Sequence, residues 1–117
     1  MLYELRQYTA TSGNRDALVK MMEEEVIPFQ VKQGMVILGS FVGEEDPDAY
    51  VWIRRFKDED ERKALYAAVY ESGYWKDDVG PRIGPLLHRE TIKVTRLTPT
   101  AKSYLRIKRW YLNCQLY

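Results

Sequence analysis

Apolar and polar positions alternate from Leu2 to Thr9, and Leu2, Tyr3, Leu5 and Tyr8 favour extended backbone, which predicts a first strand. Thr11-Ser12-Gly13-Asn14 follows as a turn with helix-capping residues. The period then lengthens. Leu18, Met21, Met22, Val26 and Phe29 share one face of an amphipathic helix, and Glu23, Glu24 and Glu25 lie mostly off it. Pro28 removes one helical N–H and predicts a kink or early end, while Gly34 suits the helix C-terminus. Met35 to Gly43 and Ala49 to Phe56 read as strands two and three. The short polar turn Glu44 to Asp48 between them predicts an antiparallel hairpin. Asp58 with Glu61 three residues later begins a second helix, with Leu65, Ala68 and Val69 on its apolar face and a Tyr66/Tyr70 pair beside it. Ser72-Gly73 ends it. Gly80-Pro81 and Gly84-Pro85 break residues 74–87 into short helical turns. His88 to Leu97 reads as strand four. From Ser103 onward the spacing fits strand and helix alike.

This order, β-α-β-β-α-β, predicts an α+β, ferredoxin-like domain over residues 1–98: a four-stranded antiparallel sheet with two helices on one face. Residues 99–117 form a C-terminal extension. Alternation divides each strand into two sets. Tyr3, Leu5 and Gln7 with Val51 and Ile53 are assigned to the helix-covered core. Glu4, Arg6 and Tyr8 with Tyr50, Trp52, Arg54 and Phe56 are assigned to the open face. That aromatic set is too apolar to leave in water, so the sheet is expected to close against a second copy as a homodimer.

Length supports one domain, with a modest core that a partner subunit would extend. Hydrophobic residues make up 45% and charged residues 30%, a globular balance rather than a disordered one. The N-terminus has neither a signal-peptide pattern nor a long Arg/Ser-rich transit pattern, and no apolar run is long enough for a membrane span. A reducing, cytoplasmic setting is the expectation. Cys114 and His88 are each the single residue of their kind, so no internal disulfide and no His-rich metal site can come from one chain. Neither a metal nor a cofactor is expected. Net charge is +1, which gives no global attraction to nucleic acid. Residues 1–100 hold all 17 acids against 14 Lys/Arg, whereas 101–117 hold four Lys/Arg and no acid, so a basic tail follows a mildly acidic body.

The opening YELRQYT, the hairpin LGSFVGEEDPDAYVWIRRF, the following KDEDERKAL and the stretch WKDDVGPRIGPLL occur in an order that resembles the NIPSNAP family over about residues 1–97. The resemblance implies a dimeric α/β barrel, in which two ferredoxin-like sheets face each other. It implies no settled activity: small bacterial members are mostly without assigned function, and animal members are linked to mitochondria and vesicles. The family's E-x-R-x-Y pattern corresponds to Glu4, Arg6 and Tyr8. Two departures are Arg54, where many relatives carry an aromatic residue, and the tail 101–117, beyond the family's usual end. Haem-degrading relatives of the superfamily place an iron-ligating histidine on a helix, and neither predicted helix here contains a histidine. At the level of fold alone, the superfamily suggests a cofactor-independent monooxygenase- or isomerase-like enzyme; a non-catalytic interaction protein is the alternative.

The candidate chemistry lies on the face assigned to the barrel. Arg6 is suited to hold an anionic group, Tyr8 to donate a hydrogen bond and Glu4 to act as a base; a Glu–Arg network satisfying itself is the structural alternative. Trp52 and Arg54 form a candidate cation–π platform for a planar ligand, or else dimer packing. Trp75, with Tyr74, is a candidate lining of a pocket mouth, or else a loop anchor. His88, with an ordinary pKa near neutrality, is a candidate acid–base group, or else a hydrogen-bonded residue at a strand end. The expected ligand is a small, partly aromatic or carboxylated molecule. Gly80-Pro81-Arg82-Ile83-Gly84 lacks the order of a phosphate loop. The tail residues Tyr104, Arg106, Lys108, Arg109, Trp110 and Tyr111 fit an anionic surface, packing on the partner, or disorder.

Overall fold

Unbroken alternation produces β1 (Leu2–Thr9) and β3 (Ala49–Phe56), the two central strands. β2 (Val36–Val42) and β4 (Lys93–Leu97) flank them in the order β2-β3-β1-β4, with every pairing antiparallel. The coordinates are a computed structural model describing residues 1–107 of the chain. The expectations for Lys108, Arg109, Trp110, Tyr111 and Cys114 lie outside the described residues.

The first helical run does not end at Pro28. It comprises α1 (Arg15–Met21), a π-helical turn (Met22–Val26) and α2 (Ile27–Gln33). The wide turn comes just before Pro28, which lies in the first turn of α2, where a missing N–H costs little. Gly34 closes the run at φ 111°, a left-handed conformation that suits glycine. α3 (Glu59–Tyr70) starts as its sequence predicts. The Glu61 N–H donates to Asp58 Oδ1 at 2.8 Å, and the Lys57 N–H donates to Glu61 Oε1 at 2.8 Å.

After α3 the glycines and prolines divide the chain into a π-helical turn (Tyr74–Val79), α4 (Gly80–Ile83) and a 3₁₀ turn (Gly84–Leu86). The fourth strand is shorter than the expected His88–Leu97. Leu87 makes one isolated bridge to Ala10, and Arg89–Thr91 fold into a 3₁₀ turn. The Thr91 N–H and hydroxyl both donate to His88 O, at 3.0 and 2.8 Å, which holds this segment out of the ladder. Beyond β4, Tyr104–Ile107 form the helical turn α5, so helix prevails over strand there. The Tyr3 hydroxyl donates to Leu105 O at 2.5 Å and ties α5 to β1.

The assignment of the two sheet faces is reversed. Tyr50, Trp52, Arg54 and Phe56 are at most 1% exposed, and Glu4 is fully buried, because this set lies under the helices. Arg54 reaches Gln30 of α2 and Tyr66 and Tyr70 of α3, while the Phe56 ring lies 6.1 Å from that of Tyr66. Leu18, Met22 and Val26 pack against Tyr8, Tyr50 and Trp52 in one buried cluster, and Phe56 packs with Met35 and Val69 in a second. Burying each large side chain contributes roughly 1.5–3 kcal/mol. The aliphatic set is left on the open face: Leu5, Val51 and Ile53 are only half-buried, and Phe41 is 54% exposed. The aromatic set is indeed too apolar for water, but the chain's own helices cover it. Its charges tolerate burial because each finds polar partners there.

Candidate functional site

Antiparallel register places Glu4 opposite Arg54 and Arg6 opposite Trp52, so these four side chains occupy adjacent positions beneath the helices. The Glu4 carboxylate is saturated. Its Oε1 accepts from Arg54 Nη2 at 2.7 Å, its Oε2 accepts from Arg62 Nε at 2.6 Å, and the Tyr66 hydroxyl donates between both oxygens at 2.8 and 2.7 Å. Burial alone would raise the carboxyl's pKa. The Arg62 hydrogen bond, the Arg54 charge and the Tyr66 hydroxyl outweigh that and hold it below the ordinary carboxylate value. Burial pushes the Tyr66 phenol up, only partly offset by Arg54, so Tyr66 remains a donor.

Arg54 is also heavily engaged. Its Nη1 donates to Gln30 Oε1 at 2.9 Å and to the Tyr70 hydroxyl at 2.8 Å, and its Nη2 donates to Glu4 and to Tyr66. The guanidinium carbon lies 4.7 Å from the Trp52 ring centroid, so the expected cation–π pair forms, although inside the monomer's core.

Arg6 differs. Glu4 approaches its Nη1 no closer than 3.9 Å. Its Nε donates to the Tyr8 hydroxyl at 3.0 Å, and Nη1 makes a long 3.4 Å bond to Tyr66. Beside Arg6 lies a cavity of about 270 Å³ between the sheet and the helices. The sheet supplies Arg6, Tyr8 and Trp52 to its wall, and the first π-helical turn supplies Met22 and Val26. Tyr70 and Trp75 stand edge to face at 5.0 Å and form an aromatic side; Ile83, Leu87, Arg89 and Ile92 complete the lining. Both π-helical turns therefore contribute to the wall, through Met22 and Val26 in one and Trp75 in the other. Such turns re-aim side chains and recur at functional sites. Gly80 makes the close packing possible, since a Cβ there would lie 2.8 Å from the Trp75 carbonyl oxygen.

Of the residues singled out from sequence, Arg6, Tyr8, Trp52 and Trp75 meet at this cavity. Glu4 and Arg54 form the adjoining network, on the helix side of their own sheet rather than between two sheets; both Arg54 terminal nitrogens are engaged, while its Nε has no hydrogen-bond partner among the described residues. His88 does not line the cavity. It is exposed, with Nδ1 3.5 Å from Glu90 Oε1. Tyr74 anchors the loop by packing on Phe29 at 4.8 Å. Sequence reasoning missed Gln30, Arg62 and Arg89, and it noted Tyr66 and Tyr70 only as an aromatic pair beside the helix's apolar face. The Tyr66/Tyr70 spacing was the available signal, because i, i+4 residues present two hydroxyls side by side.

Among the described residues, no group of three or more His, Cys, Asp or Glu is arranged to hold a metal ion, and no helix is long and apolar enough to cross a membrane.

Solved structures share this architecture. A protein from Agrobacterium tumefaciens is 27% identical with a TM-score of 0.79, covering 88% of this chain and 97% of its own. A NIPSNAP family protein from the same organism is 26% identical with a TM-score of 0.79, covering 90% and 98%. An antibiotic biosynthesis monooxygenase shares the fold at 18% identity and a TM-score of 0.63, covering 86% and 99%. No curated protein matches the chain significantly. The NIPSNAP family model matches residues 3–102, through both central strands, the hairpin and the segments that build the cavity, and the chain therefore belongs to the NIPSNAP family.

Proposed function

We propose that this protein binds a small organic molecule in the cavity between its sheet and its helices, and that it does so as a homodimer. The observation that carries the binding reading is the contrast inside the core. Glu4 is saturated by internal partners and both Arg54 terminal nitrogens are engaged, whereas Arg6 and the Trp52 ring line an apolar and aromatic chamber. The volume lies just under the roughly 300–1,000 Å³ of drug-sized sites, which favours a small occupant. Binding is favoured over turnover because the lining includes no histidine, carboxylate or thiol, and its two tyrosine hydroxyls already accept from arginines, Tyr8 from Arg6 and Tyr70 from Arg54. The fold shared with a monooxygenase keeps cofactor-independent oxidation or isomerisation as the second reading, with Tyr8 and Arg6 as its groups. A reducing, cytoplasmic setting is part of the proposal and rests on the single cysteine, which can form no internal disulfide.

The homodimer reading rests on the open sheet face. Leu5, Val51 and Ile53 run across its centre, with exposed Phe41 and Leu97 on the outer strands. Pairing two such faces is the arrangement implied by the NIPSNAP resemblance. The interface probe is therefore Ile53, because Trp52 belongs to the monomer's core. Ile53→Glu is expected to give a folded monomer by light scattering, while Trp52→Glu is expected to unfold. A dimeric Ile53→Glu variant refutes pairing through this face. Native mass spectrometry of the fresh protein tests the binding reading: a co-purifying small molecule lost on Trp75→Ala supports it, and an adduct unaffected by Trp75→Ala counts against this cavity.

A further inference from the structure

The cavity carries more positive charge and more free donors than a general apolar pocket would. Two of its lining residues are arginines, Arg6 and Arg89, and none is acidic. The nearest buried carboxylate, Glu4, is engaged by Arg54, Arg62 and Tyr66 and stays 3.9 Å from Arg6. Arg6 thus has no anion of its own at hydrogen-bond distance among the described residues. Glu4 is shared by three arginines, so the buried cluster beside the cavity carries an excess of positive charge, and Arg6 is the one of the three that lines the cavity. The Arg6 guanidinium carbon lies 5.9 Å from the centroid of the Trp52 ring, which forms a flat wall next to it.

We infer that the cavity selects organic carboxylates, with the carboxylate accepting from Arg6 and an apolar or aromatic body lying against Met22, Val26, Trp52, Tyr70 and Trp75. A carboxylate supplies the charge that Arg6 lacks. Desolvation inside the cavity strengthens that bond. A neutral amide of the same shape can accept from Arg6 but leaves its charge unmatched, and a hydrocarbon offers it nothing. Arg89 is exposed at the rim, where solvent screens it, so its part is attraction of the anion rather than its grip.

This inference rests on the cavity-binding reading, and the experiment separates the two. Phenylacetate and phenylacetamide, equal in shape and different in charge, are titrated into the whole protein at neutral pH by calorimetry and tryptophan fluorescence. Phenylacetate is expected to bind at least about 10-fold more tightly than the amide, the order expected for hydrogen bonds to a charged group. Arg6→Gln is expected to abolish that preference. Arg89→Gln is expected to have a smaller effect. Equal binding of acid and amide overturns the carboxylate inference and leaves the cavity reading standing. Acid preference that survives Arg6→Gln also overturns it. No binding of either probe at millimolar concentration overturns both readings.

Discussion

Arg54 and Arg6 lie on neighbouring strands under the same helices, yet they occupy different electrostatic positions. Arg54 is fully buried and spends both terminal nitrogens on Glu4, Gln30, Tyr66 and Tyr70. Arg6 is bonded at close range only to Tyr8 and borders the cavity. A guanidinium whose terminal nitrogens are both held by the fold, with only a buried Nε out of any ligand's reach left over, is a structural element. One whose partners run out at a cavity wall retains capacity for something outside the fold. The contrast arises from one register step. The position opposite Arg54 is Glu4, which neutralises it, and the position opposite Arg6 is Trp52, which does not.

The largest test of this contrast removes the saturated side. Arg54→Ala removes the fully buried cation of Glu4, leaves the carboxylate only Arg62 and Tyr66, and opens a cavity among Gln30, Tyr66 and Tyr70; it is expected to cost about 3 kcal/mol or more in urea unfolding, the order for breaking a buried ion pair. Arg6→Gln is expected to cost no more than about 1 kcal/mol, because it leaves no buried charge without a partner. Equal losses for the two variants would remove the distinction between structural and available arginine.

Glu4→Gln is the next largest. It keeps the shape and removes the charge that Arg54 and Arg62 share, with an expected loss of about 2–3 kcal/mol at neutral pH. Its pH dependence identifies the cause. The Glu4 pKa is depressed in the folded protein, so the unfolded chain takes up the proton first as pH falls. The stabilisation is therefore fully present above the unfolded carboxylate value of about 4.3 and fades as pH drops through the lower folded value. The stability gap between the native protein and Glu4→Gln is expected to narrow below about pH 4 for the same reason. A gap that stays constant into acid would show that packing, rather than charge, holds Glu4.

How far this contrast was legible in the sequence depended on the range of the physics. Turns, caps and strand periods are local, so Gly34, Asp58 with Glu61, and β3 from Ala49 to Phe56 were readable directly. Alternation also sorted the strand residues into the right two sets. It could not say which set lies under the helices, because that depends on residues far along the chain. A set containing Glu4 and Arg54 looks unfit for a core until Gln30, Tyr66 and Tyr70 arrive from two helices to satisfy it. The cavity was legible in part, since Arg6, Tyr8 and Trp52 share one parity and Trp75 marks the break after α3. His88 drew attention through its chemistry, but the 3₁₀ turn at Arg89–Thr91 leaves it exposed and brings its neighbours Leu87 and Arg89 to the cavity.

The smallest expected effect comes from the residue that belongs to both halves. The Tyr70 hydroxyl accepts from Arg54 Nη1 at 2.8 Å and, weakly, from Gln30 Nε2 at 3.4 Å, while its ring lines the cavity against Trp75. Tyr70→Phe removes only the hydroxyl. Arg54 Nη1 keeps Gln30 Oε1 at 2.9 Å, so the loss is expected to be about 0.5–1.5 kcal/mol. The ring remains in the wall, so affinity for a cavity ligand is expected to change by no more than about two-fold, less than half a kcal/mol. The pair of measurements locates the boundary between the saturated network and the cavity. Stability lost with affinity kept places that boundary between the Tyr70 hydroxyl and its ring. Affinity lost as deeply as in Arg6→Gln would mean that the Arg54 network holds the cavity in shape, and that the two arginines act as one unit.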